Sequence, residues 1–113
     1  MSSHIALIGD SVFDNGSYTN GAPDVAAHLR NLLPTWQVTL CAVDGSTTSD
    51  FGPQLGRVST KITHTVVSLG GNDALMNADL LNLPVHSTAE ALDLFEARVS
   101  DFETAYELSL IHI

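Results

Sequence analysis

Three short segments carry groups that could act together on an acyl carbon. Gly9-Asp10-Ser11 places an alcohol two residues after a glycine. Asp44-Gly45-Ser46 presents a backbone N–H with no side chain in front of it, and Gly70-Gly71-Asn72-Asp73 presents a carboxamide donor. A serine hydroxyl is a weak nucleophile until a base takes its proton. Backbone and amide N–H groups stabilise the oxyanion that forms when such a nucleophile attacks a carbonyl. Taken singly, each segment also reads as a turn, because Gly, Asp, Ser and Asn dominate turns for local hydrogen-bonding reasons. The chemistry depends on whether the chain brings the three together.

The apolar pattern predicts that it does. His4 to Ile8 is a short, nearly continuous apolar run, as expected of a strand covered on both faces. After a polar loop over Ser11 to Ala22, Pro23 is placed to open a helix, with Val25, Ala26, Leu29, Leu32 and Leu33 on one face and Pro34 as its stop. Trp36 to Val43 reads as a second strand, Asp44 to Asp50 as a loop, and Pro53 to Ser59 as a weak helix. Thr63 to Leu69 reads as a third strand, ending at the Gly-Gly-Asn-Asp segment. Ser87-Thr88-Ala89-Glu90 has capping-box spacing. Beyond it, Leu92, Phe95, Val99, Phe102 and Tyr106 form an apolar stripe on a long helix, which predicts a core-facing side. The order β-α-β-(α)-β-α predicts a parallel sheet with right-handed crossovers and helices on its faces. Functional groups in such sheets gather at the carboxyl ends of the strands, which is where the three segments fall.

Composition narrows the class. The 113-residue chain carries 4 Lys+Arg against 13 Asp+Glu, a formal net charge of −9. That argues against a phosphate-backbone binder or an anionic membrane surface, so neither a nucleic-acid partner nor membrane insertion is expected. A hydrophobic content of 44% argues against disorder. Cys41 is the single cysteine, so it can neither close an internal disulfide nor build a thiolate metal site by itself. With no signal peptide or membrane span evident, the sequence predicts a cytoplasmic protein.

Gly9 to Gly16 (GDSVFDNG) resembles the first block of the SGNH, or GDSL, hydrolases. Ala42 to Thr48 (AVDGSTT) is similar to their second block and Val67 to Leu75 (VSLGGNDAL) to their third, in the family's order and spacing. The resemblance runs through most of residues 4 to 106. It implies a three-layer α/β/α sandwich with a parallel, flavodoxin-like sheet, hydrolysing carboxylic esters or thioesters. On this resemblance Ser11 is the nucleophile. Its own N–H, that of Gly45 and the Asn72 side chain form the oxyanion hole. Asp10, Asp14 and Asn15 organise the first loop and Asp73 braces the third. No cofactor or metal is called for, and the partner is a small-molecule ester whose acyl or alcohol part the sequence does not specify.

The family's last block, Asp-x-x-His, supplies the base. None of the 13 carboxylates here has a histidine three residues later. Asp24 and His28 are four apart, and His112 lacks an acidic partner at the right offset. With three strands where the family has more, residues 1–113 read as a partial hydrolase domain, incomplete at its C-terminus. The outer edge of the third strand would then be unpaired, and the long helix would lose part of the surface it is patterned to cover. The uncharged Leu108 to Ile113 segment breaks the helix pattern and reads either as the start of a further strand or as unrelated sequence at a truncated end. Two alternatives remain at this level. One is a non-catalytic α/β module that keeps the pocket without the base. The weaker is a flavodoxin-like nucleotide or receiver domain, disfavoured by a single lysine (Lys61) and the absence of a Walker-type glycine loop.

Overall fold

The apolar run at the N-terminus becomes the centre of the sheet. The computed structural model describes residues 3–58 and 61–111. In it β1 (His4–Gly9) lies between β2 (Gln37–Leu40) and β3 (His64–Ser68), all parallel, in the order β2-β1-β3. Side chains alternate across a strand. Ala6 and Ile8 therefore face one side, packing with Cys41 and Phe51, while Leu7 faces the other, packing with Ala26 and Val38. Burial pushes the Cys41 thiol above its ordinary pKa, with Arg57 opposing, so the group is a packing residue and not a poised thiolate.

Helices cover both faces and give three layers. On one face, α1 (Val25–Leu32) starts at Val25 and not at Pro23, because the Asp24 carboxylate accepts the Ala27 N–H at 2.8 Å and caps the first turn. On the other, α2 (Phe51–Leu55) begins earlier than expected and is shorter. A 3₁₀ turn over Thr48–Asp50 leads into it, fixed by a capping box in which the Asp50 carboxylate accepts the Thr47 N–H at 2.8 Å. Ser59, the expected end of this stretch, lies outside the described residues. β2 stops at Leu40 and not Val43 because Cys41 and Ala42 both donate to the Leu7 carbonyl, which breaks the ladder.

The region after β3 holds an unexpected element. The Gly-Gly-Asn-Asp segment is not only a loop: α3 (Gly71–Met76) starts within it, followed by a 3₁₀ turn over Ala78–Asn82. The long helix α4 (Thr88–Leu110) starts where the capping spacing places it, with the Ser87 hydroxyl accepting the Glu90 N–H. It runs on to Leu110, so the expected break at Leu108 does not occur. The Ser109 hydroxyl donates to Ala105 O and also reaches Thr48 O at 3.1 Å, which fixes the last turn.

The stripe on α4 lacks much of the cover it is patterned for, as expected of the long helix beside an unpaired third strand. Leu92 is 64% exposed and Val99 63%, so most of this face meets no core. α4 leans on the Thr48–Asp50 turn, and Arg98 reaches Asn77 and Asp79. The radius of gyration is 17.6 Å, against about 13 Å for a compact chain of this length. Val66 and Val67 on β3 are also partly exposed, and among the described residues β3 pairs with β1 alone.

These burial differences set an expected contrast in urea unfolding. Phe51→Ala, at a side chain 1% exposed, should cost about 3–5 kcal/mol. Leu92→Ala should cost under about 0.5 kcal/mol. A large cost for Leu92→Ala would show that the α4 stripe is covered after all.

Candidate active site

Parallel pairing decides where the three polar segments go. Gly9 is in register with Ser68, and Leu7 with Leu40, so the segments after β1, β2 and β3 all leave from one rim of the sheet. Gly9 makes this rim tight. Its φ is +150°, and a Cβ there would stand 2.2 Å from the Ser68 carbonyl oxygen. Only glycine permits that approach. The next N–H, of Asp10, donates to the same carbonyl at 3.2 Å.

Ser11 is the first residue of a tight turn. The Asp10 carbonyl accepts from Phe13 and Asp14, and the buried Asp10 carboxylate accepts the Val12 N–H at 3.0 Å. Ser11 itself is half-buried. Asp14 reaches across to the second segment, where its carboxylate accepts the Asp44 N–H at 2.7 Å. Asn15 accepts the Val25 N–H, which attaches the loop to the start of α1. Tyr18 donates to the Asp44 carboxylate at 2.6 Å, closing a second link between the same two loops.

The second segment turns at Gly45, which has φ +88° and open space where a side chain would be. Ser46 is buried, and its carbonyl accepts from the Asn72 side chain at 2.9 Å. Asn72 thus has one amide hydrogen engaged and one left. Asp73 accepts from both the N–H and the hydroxyl of Thr48, at 3.0 and 2.7 Å, tying the third segment to the second.

Gln54 has no local sequence signal and was not among the expected site residues. Its side chain is 1% exposed. Its carbonyl accepts the Gly9 N–H at 2.8 Å, and its NH₂ donates to the Gly9 carbonyl at 2.8 Å and to the Ser46 hydroxyl at 3.0 Å. A continuous series, Gly9–Gln54–Ser46–Asn72, therefore joins the three segments.

Two backbone donors in the first two segments contrast with their immediate neighbours. The N–H groups on either side of Ser11, those of Asp10 and Val12, are bonded, as are those on either side of Gly45. Among the described residues no acceptor meets the Ser11 or Gly45 N–H. Nor does any described residue accept the Ser11 hydroxyl proton. His4 and His64 begin their strands, at the opposite end of the sheet from Ser11. His4 meets Thr39, and His64 meets Thr63 and the Trp36 ring. His28 lies exposed on α1 and His86 precedes α4. His112 lies outside the described residues. A cavity of about 520 Å³ opens between α3 and α4, lined by Leu75, Leu81, Phe95, Val99 and Phe102, but Ser11, Gly45 and Asn72 do not line it. Gly70 and Gly71 of the third segment do line it, and a cavity of about 360 Å³ is lined by Thr47, Thr48 and Asp73.

The link through Tyr18 has a pH signature. The hydrogen bond to Asp44, with the carboxylate's negative charge, holds the Tyr18 phenol above its ordinary value of 10.0. A raised folded-state pKa gives a contribution present below the unfolded value and lost as pH rises through the folded one. Absorbance titration should therefore show Tyr18 ionising above pH 10, and Asp44→Asn should bring it back down. An unchanged titration in Asp44→Asn would contradict the bond.

Among the described residues no helix is long and apolar enough to cross a membrane. No protein-family model matches the sequence, and no curated protein does at a significant level. Solved structures do match. The crystal structure of AlinE4, a SGNH-hydrolase family esterase, is 25% identical with a TM-score of 0.55, over 92% of this chain and 55% of that one. Two mutants of the same esterase match at 24% and 23% identity, each with a TM-score of 0.56 and the same coverage. This chain spans about half the length of the esterase it matches. Its fold is the α/β fold of the SGNH hydrolases.

Proposed function

We propose that this chain carries the nucleophile and oxyanion hole of a serine ester hydrolase of the SGNH/GDSL type. The observation that carries the reading is the pair of unpaired N–H groups at Ser11 and Gly45, on loops bonded together beside the Asn72 amide. Unpaired donors at one rim suit a developing negative charge.

In the reaction the Ser11 Oγ attacks the acyl carbon while a general base takes its proton. The carbonyl oxygen becomes an oxyanion that accepts from the Ser11 N–H, the Gly45 N–H and the remaining Asn72 amide hydrogen. Collapse breaks the bond to the alcohol or thiol, which leaves with the proton held by the base. Water, deprotonated by the same base, then releases the acid and restores Ser11. The base and its orienting carboxylate are expected from an Asp-x-x-His block that this sequence lacks. Without it, about 10³–10⁴-fold acceleration over water is what an oxyanion hole and binding can supply. The substrate is a small-molecule ester in a cytoplasmic setting. A second reading, a module that binds acyl or glycan ligands without turnover, is favoured by one observation: no described residue accepts the Ser11 proton.

Added imidazole can stand in for the base. With it, p-nitrophenyl acetate should acetylate Ser11, seen by mass spectrometry of the Ser11 peptide. Ser11→Ala should abolish the modification, and Asn72→Ala should slow it by about 10²-fold. No acetylation of Ser11 in folded protein would favour the binding module.

Without added base, a fluorophosphonate should label Ser11 slowly. Rapid, stoichiometric labelling lost in Ser11→Ala would instead reveal a base within the chain, and His112 would be the first to substitute.

A further inference from the structure

We infer that Gln54 is a positioning residue that sets the placement of the Asn72 amide relative to Ser11, an inference that rests on the esterase reading of the site. A buried glutamine is unusual, because its amide must find partners for both ends or lose the free energy of desolvation. Gln54 finds them at functionally placed backbone. It pairs with both the N–H and the C=O of Gly9, two residues before Ser11, much as a neighbouring strand would. Its second hydrogen goes to the Ser46 hydroxyl, and the Ser46 carbonyl holds the Asn72 amide. Ser46 follows Gly45 directly, so the same contact also restrains the loop that presents the Gly45 N–H. The pairing fixes the orientation of the amide: its oxygen must face the Gly9 N–H.

Other contacts between the loops are more exposed. The Tyr18–Asp44 and Asp14–Asp44 bonds lie at the surface. The Gln54 bonds are buried and shielded from water, so they determine the spacing more firmly. An oxyanion hole must hold its donors to within a fraction of an ångström, and small displacements by remote changes can cost large factors in rate. A clamp on Gly9 and Ser46 meets that requirement without touching substrate.

Two variants test this with two readouts. Gln54→Met removes all three bonds. Ser46→Ala removes only the hydroxyl and preserves the fold should Gln54→Met fail to fold. The first readout is the Asn72 side-chain NH₂ signal in ¹⁵N NMR. The second is imidazole-assisted acetylation of Ser11 by p-nitrophenyl acetate, separated into half-saturating ester concentration and maximal rate. Both variants should move the Asn72 signal. The maximal rate should fall about tenfold in Ser46→Ala and up to about a hundredfold in Gln54→Met, with the half-saturating concentration unchanged. Gln54→Glu adds a reversible control. Protonated, its carboxyl can pair with Gly9 as the amide does but has no second hydrogen for Ser46, so the Asn72 signal should move to the position seen in Ser46→Ala as pH falls. A folded variant with the parent Asn72 signal and the parent rate would overturn the inference. A parent chain with no acetylation dependent on Ser11 would refute the esterase reading instead, and the Asn72 signal alone would then decide the clamp.

Discussion

The close approach of Gly9 to the Ser68 carbonyl constrains the rest of this molecule. A side chain there would stand 2.2 Å from that oxygen, so the centre of the sheet can end this way only at glycine. Because the backbones lie this close, the Asp10 N–H bonds to β3 and the chain turns at once into the Ser11 loop. The free polar groups of Gly9 are then taken up by Gln54 and Val43. Position 11 thus follows from packing two residues earlier. The loops after β2 and β3 are brought in by bonds to the same point.

The rim and the outer layers differ in how well their polar and apolar groups are satisfied. At the rim the N–H groups on either side of Ser11 and of Gly45 have acceptors, while those of Ser11 and Gly45 meet none among the described residues. At α4 a helix of 23 residues presents Leu92, Phe95, Val99 and Tyr106 to solvent, and among the described residues β3 keeps an open side. The inner sheet is therefore the well-determined part of the molecule, and the candidate site is built on it.

Much of this was legible in the residues. The run His4–Ile8 identified the central strand because burial on both faces demands continuous apolarity. Ser87 with Glu90 marked the start of α4 because a cap is a local matter of spacing. Gly9, Gly45 and Asn72 were legible through the blocks around them. Gln54 was not, since its partners are 45 and 8 residues away and nothing near it in the chain calls for a buried amide. α3 was missed because Gly70-Gly71 reads as turn punctuation, although Gly71 starts a helix. The α4 stripe was legible as an apolar face, and its exposure only from the strands expected beyond β3. Periodicity reports which face is apolar and does not report whether anything in the chain covers it.

The central claim is that Ser11, Gly45 and Asn72 present their donors to one point in space. A crystal structure of the chain after prolonged reaction with a phosphonate ester would test it most directly. The account predicts phosphorus bonded to Ser11 Oγ, with one phosphonyl oxygen within hydrogen-bond distance of the Ser11 N–H, the Gly45 N–H and Asn72 Nδ2. A phosphonyl group turned to solvent, with Asn72 and Gly45 out of its reach, would contradict it.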